Sequence, residues 1–172
     1  MVTMKKSAKK CEEVLMAEHK KAKQESILGK NPRIMILNTL IDVLDISQTV
    51  DLAEQYVISK TPLHLMGVNA DKINEVNRNA RMQQIVNSCG IITADGASVV
   101  MAGRFLKKPL PERIAGIDLM ERLIALSEQK GYSVYFLGAK QAVVEKTAQV
   151  FHQKYPHVTF DLLTETADIV KE

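Results

Sequence analysis

Tryptophan is absent from this 172-residue chain, and its aromatic residues are four Tyr and four Phe. With so few rings the chain offers no stacking platform for single-stranded nucleic acid. Cysteine is nearly absent too. Cys11 and Cys89 stand in no motif, which excludes a disulfide framework and a paired-thiolate zinc site and suits a reducing compartment. His19, His64, His152 and His157 are scattered, so no metal-ligand spacing emerges from them. No Asp-x-Asp occurs, which removes the usual carboxylate clamp for a metal-bound nucleotide sugar. Ser98 lies in no Gly-x-Ser-x-Gly elbow, and no Walker A loop occurs. No apolar run approaches the ~20 residues of a membrane span. Lys5, Lys6, Lys9 and Lys10 are followed by no apolar core of a signal peptide. A net charge of +3 is too small to point to a nucleic-acid partner. The expected location is the cytoplasm.

What is present is an ordinary globular balance, 46% apolar and 25% charged residues. A chain of this length fits one domain and buries roughly 70% of its unfolded surface without staples. Residues 1–30 differ from the rest, with eight Lys against four Glu, no Pro and one Gly. Met4, Ala8, Cys11 and Leu15 fall at helical spacing there. This segment reads as a basic helical N-terminal extension, either a solvated helix or one that rests on anionic lipid. Asn31-Pro32 ends it, and residues 31–172 form the α/β domain.

Short β segments are expected at 33–37, 40–44, 63–68, 91–94, 132–137 and 158–162. Helices are expected after Asp45, over 70–86 as one or two pieces, over 98–105, from Ile117 to a stop at Gly131, and from Gly138 to Pro156. In the last helix Val143, Val144, Thr147, Val150 and Phe151 are expected to carry the buried face. Residues 107–116, with two Pro and one Gly, form an ordered loop. This alternation implies a parallel sheet flanked by helices.

In such a sheet, ligands bind beyond the carboxyl ends of the strands. Three strand ends carry candidate chemistry. The first is Asp95-Gly96, where a carboxylate leaves a buried strand and Gly96 lets a substrate approach the backbone. Asp95 is either a general base or an N-cap of the next helix. The second is Gly67-Val68-Asn69. The Asn69 amide either orients a sugar or phosphate, or closes an Asx turn. The third is Gly138-Ala139-Lys140, an anion site at a helix start or a plain tight turn.

Ile92-Thr93-Ala94-Asp95-Gly96 and Lys107-Lys108-Pro109-Leu110-Pro111-Glu112-Arg113-Ile114-Ala115-Gly116-Ile117-Asp118-Leu119 resemble the WecG/TagA/CpsF glycosyltransferase family over about residues 34–160. Phe136-Leu137-Gly138 resembles its next motif. The resemblance implies a Rossmann-like fold with no metal and no cofactor. It implies inverting transfer of N-acetylmannosamine, or a related sugar, from a UDP-sugar to a polyprenyl-diphosphate-linked sugar in cell-surface polysaccharide or teichoic acid synthesis. It makes Asp95 the general base, Asn69 an active-site ligand and Arg113 a diphosphate ligand, with Gly67, Gly96, Gly138 and Ala139 as substrate contacts. It also implies a peripheral position on the inner face of the membrane; a homo-oligomer is left open.

Two departures stand out. Gly67 occupies a place where the family usually has Thr. Family members also run well past residue 162, with further sheet elements, a Gln-containing motif and a basic tail. The expectation from the second departure is a truncated chain, a donor-binding remnant or one part of a split enzyme, with little or no transferase activity alone.

Overall fold

The computed structural model describes residues 31–163. The basic extension expected at 1–30 lies outside the described residues. The chain divides between Ala115 and Gly116 into two compact units.

The first unit opens with strands β1 (Arg33–Ile36) and β2 (Thr39–Asp42). They pair antiparallel, from Arg33 opposite Asp42 to Ile36 opposite Thr39. The described strands thus form three two-stranded sheets, this one antiparallel, and not the one parallel sheet that the strand–helix alternation had implied. The antiparallel pairing comes from the two-residue connection Leu37-Asn38, far too short for a parallel crossover. Both residues have positive φ, 45° and 61°, as hairpin turns of this length require. Asn tolerates that region; Leu does not, and the turn is held from outside. The Asn77 side-chain amide donates to the Leu37 carbonyl at 2.8 Å, and that of Asn87 donates to the Asn38 carbonyl at 2.9 Å.

Helix α1 (Ile46–Ile58) starts at Asp45, which forms a capping box with Gln48. Strands β3 (Leu65–Val68) and β4 (Ile91–Ala94) pair in parallel, from Leu65 beside Ile91 to Val68 beside Ala94. Between them the helical stretch divides at Asn79 into α2 (Ala70–Arg78) and α3 (Ala80–Asn87). The Asn79 amide ends the first by donating its N–H to Glu75, and its side chain caps the second through Arg81 and Met82. Helix α4 (Ala97–Phe105) follows β4. All four β4 residues are buried, in a core with Ile36, Ile41, Val68, Ile73, Val86, Val99 and Leu110.

A buried ion pair ties the hairpin to β4. The Arg33 guanidinium donates to Asp42 Oδ1 at 2.6 Å and to the Cys89 and Gly90 carbonyls at 2.8 Å. Asp42 Oδ2 accepts the Ile92 N–H at 2.6 Å, so the carboxylate takes a place that a neighbouring strand's carbonyl would hold. Burial pushes the Cys89 thiol up, against the opposing pull of Arg33, and likewise the Tyr56 phenol. A raised, buried thiol is a poor nucleophile. Cys89 is expected to resist iodoacetamide in the native chain and to react on unfolding, which peptide mass mapping checks.

The second unit holds α5 (Gly116–Lys130), β5 (Val134–Leu137), α6 (Gln141–Lys154) and β6 (Phe160–Leu163). Helix α5 stops at Gly131, whose φ of 71° only glycine adopts at little cost. Strands β5 and β6 are parallel, and Ile124, Phe151 and Val158 form the core with Val134, Phe136 and Phe160. The Phe136 and Phe160 rings stack with centroids 5.5 Å apart. The apolar face of α6 needs correcting. Val144, Ala148 and Phe151 are buried at spacings of four and three, whereas Val143 and Val150 are half-exposed beside that stripe. No helix among the described residues is long and apolar enough to cross a membrane.

Candidate active site

Parallel pairing puts the ends of β3 and β4 side by side, and the Asp95 N–H donates to the Val68 carbonyl at 2.9 Å, extending the ladder by one rung. The Asp95 side chain then lies over Gly67. A Cβ built on Gly67 would stand 3.3 Å from both Cβ and Oδ2 of Asp95. Glycine at 67 thus leaves the carboxyl room against the backbone of the neighbouring strand, and a larger residue there would press on it.

Asn69 follows one residue on. Its side-chain oxygen accepts the Lys72 N–H at 3.0 Å, so the capping alternative is realised for Asn69. For Asp95 the outcome differs: the N-cap of α4 is Gly96, which supplies no side-chain cap. Gly96 packs on Asn69, since a Cβ there would lie 3.4 Å from Cα and Cβ of Asn69 and from Oγ of Ser98. Gly67, Asn69, Asp95 and Gly96 are therefore one cluster, formed by two strand ends and the first turns of two helices.

Arg113 reaches the neighbourhood through its backbone. The next residue, Ile114, donates its N–H to the carbonyl of Ala94, the last residue of β4, at 2.8 Å. The loop is pinned elsewhere as well. Glu112 accepts the Ile46 N–H at 2.7 Å, which places a carboxylate at the N-terminus of α1, whose own first turn has none. Leu110 is buried in the core beside Gly103. The Arg113 side chain is exposed. Gly138 and Ala139 belong to the second unit. Both have positive φ, 98° and 61°, in the turn from β5 to α6, and Lys140 caps that helix without a side-chain bond.

Lys72 was not singled out from the sequence. Its ammonium donates to the Gly67 carbonyl at 2.6 Å, beside the Asp95 cluster. A signal was present: Lys72 stands in the first turn of α2, where the helix dipole disfavours a cation. Among the described residues no group of three or more His, Cys, Asp or Glu could hold a metal ion.

The model of the glycosyl transferase WecG/TagA/CpsF family matches residues 34–164. Two relatives, from Staphylococcus aureus strains NCTC 8325 and COL, are each named N-acetylglucosaminyldiphosphoundecaprenol N-acetyl-β-D-mannosaminyltransferase. Each is 28% identical over 130 residues, which cover 74% of this chain and 51% of the relative. The chain spans about half the length of the curated relatives it matches.

Proposed function

The chain belongs to the WecG/TagA/CpsF glycosyltransferase family, and on that premise we propose that it moves N-acetylmannosamine, or a related sugar, from a UDP-sugar to a polyprenyl-diphosphate-linked sugar. The observation that carries this reading is the packing of the Asp95 carboxyl over Gly67 where two parallel strands end, with Asn69 and Gly96 against it. In this reading β3, β4 and their following helices form a Rossmann-like unit. The process served is cell-surface polysaccharide or teichoic acid synthesis, and the protein works peripherally at the inner face of the membrane.

The chemistry asks for three things. Asp95 takes the proton from the acceptor hydroxyl as its oxygen attacks the anomeric carbon. The bond from that carbon to the UDP oxygen breaks, and the configuration inverts. UDP leaves with its added negative charge, which Arg113 meets by bidentate contact. Asn69 uses its oxygen as a helix cap, and its amide nitrogen serves as donor to the sugar. The Gly138–Ala139 turn, on the second unit, is by itself a candidate anion contact.

Arg113→Ala is expected to weaken UDP binding by about tenfold to a hundredfold, the loss of one desolvated, charge-assisted contact. Lys107→Ala, an exposed charge nearby, should change it by less than about fivefold. Titration calorimetry with UDP, with and without EDTA, measures both, and the EDTA arm should make no difference. Equal effects of the two substitutions would reduce the loop to a diffuse basic patch. The reaction itself is tested with radiolabelled UDP-sugar and a detergent-solubilised lipid acceptor. Failure to bind UDP overturns the reading. UDP binding without transfer points instead to a donor-binding chain that acts with a second polypeptide.

A further inference from the structure

We propose that the outer face and C-terminal end of α4 form a wedge that docks on an anionic lipid surface. This rests on the transferase reading only in giving the site a lipid-borne acceptor. Helix α4 buries Val99, Val100 and Gly103. Its opposite side carries Met101 and Phe105, one turn apart, and Leu106 follows directly. These are 67%, 88% and 45% exposed, a cluster of large apolar side chains turned to solvent. Phe105 is the most exposed large apolar residue among those described.

The charges around this cluster have one sign. Arg104, Lys107 and Lys108 are all exposed, and no Asp or Glu occurs between Gly96 and Pro111. The nearest acid in sequence, Glu112, is turned to the α1 N-terminus by its bond to Ile46. Exposed apolar side chains followed along the chain by cations, with no carboxylate in the same stretch, fit the boundary of a bilayer with anionic head groups. The Phe105 ring, the Met101 thioether and the Leu106 side chain enter the acyl margin, and the cations meet phosphates. A soluble partner with an acidic rim would share the charge but would not require the acyl margin.

The wedge is also held rigidly. The Lys107 φ of 58° turns the chain sharply after the helix, and the Lys108 N–H donates to the Gly103 carbonyl at 2.8 Å. Position matters as well. Ser98, against Gly96 in the candidate site, is on the same side of α4 as Met101 and Phe105, at spacings of three and seven. A nine-residue helix is about 13 Å long, so the wedge stands one short helix away from Asp95. A bilayer touching it would present lipid-borne diphosphates at that height.

The test is co-sedimentation of the full chain with vesicles of phosphatidylglycerol and phosphatidylcholine in about equal amounts, and with vesicles of phosphatidylcholine alone. Binding is expected to the first and to be weak to the second. Phe105→Ser should lower partitioning by about tenfold, and Lys107→Glu with Lys108→Glu by about fivefold or more for each charge. Met101→Ser serves as a second apolar variant, and thermal melting confirms that each variant folds. Unchanged binding in Phe105→Ser and Met101→Ser would overturn the proposal and assign lipid contact elsewhere, including to segment 1–30. Sedimentation showing a dimer that Phe105→Ser dissolves would overturn it in favour of a second copy on this face. UDP calorimetry on the same variants separates the two readings: loss of vesicle binding with UDP binding intact concerns the wedge alone.

Discussion

Replacing Asp95 with Asn is expected to reduce sugar transfer by about 10²–10⁴-fold, the span that a positioned general base contributes. UDP binding should stay within about twofold. The side chain keeps its size, so the close packing on Gly67 is preserved and the strand ends remain in place. The negative charge and the capacity to accept a proton are lost. A purely structural role for Asp95 would instead show as a lower melting temperature with transfer per folded molecule unchanged. Asp95→Asn turnover within about threefold of the parent chain would remove Asp95 from the mechanism. A parallel loss of UDP affinity would make it a donor ligand rather than a base.

The largest stability effect is expected at Arg33. In Arg33→Ala the Asp42 carboxylate stays fully buried with its bond to Ile92 but without its cation. Stripping one partner from a buried pair costs about 3–5 kcal/mol. For a protein of this size that lowers the melting temperature by roughly 6–20 °C. The Cys89 and Gly90 carbonyls also lose their donor, which adds to the cost. Exchanging both partners for apolar residues of similar volume should be milder than removing one, because no orphan charge is then left inside. Thermal melts of the single and double variants decide this. A single-variant shift below about 3 °C would mean that water reaches Asp42 once Arg33 is gone.

Much of this arrangement could be read along the chain, for reasons that differ by element. Strand β4 was legible because Ile91-Ile92-Thr93 is a β-branched run bounded by Gly90 and Asp95. The end of α5 was legible because Gly131 announces a left-handed residue. The divided α2 and α3 could be suspected but not located, since Asn74, Asn77 and Asn79 are all cap-favouring residues and only their partners tell them apart. The β1–β2 hairpin was opaque. Its turn carries Leu37 where Asn or Gly is usual, and the amides that make this tolerable come from distant helices. In the candidate site, Asp95 and Gly67 were legible as strand-end residues, but their close approach was not. Lys72 was not legible, because its contact folds back on a backbone carbonyl that no motif marks. In α6, helical spacing alone could not say which edge of a broad apolar stripe faces inward.

The Leu37–Asn38 turn also bears on the order in which the first unit forms. Asn77 and Asn87, which hold its two carbonyls, are 40 and 49 positions further along the chain. Leu37 in a left-handed conformation has little local reason to persist before they arrive. The hairpin, usually the quickest piece of a sheet to assemble, is here made to wait for α2 and α3. In pulse-labelling during refolding, the amides of β1 and β2 should gain protection after those of the two helices. Substituting Asn77 should speed unfolding more than it slows folding.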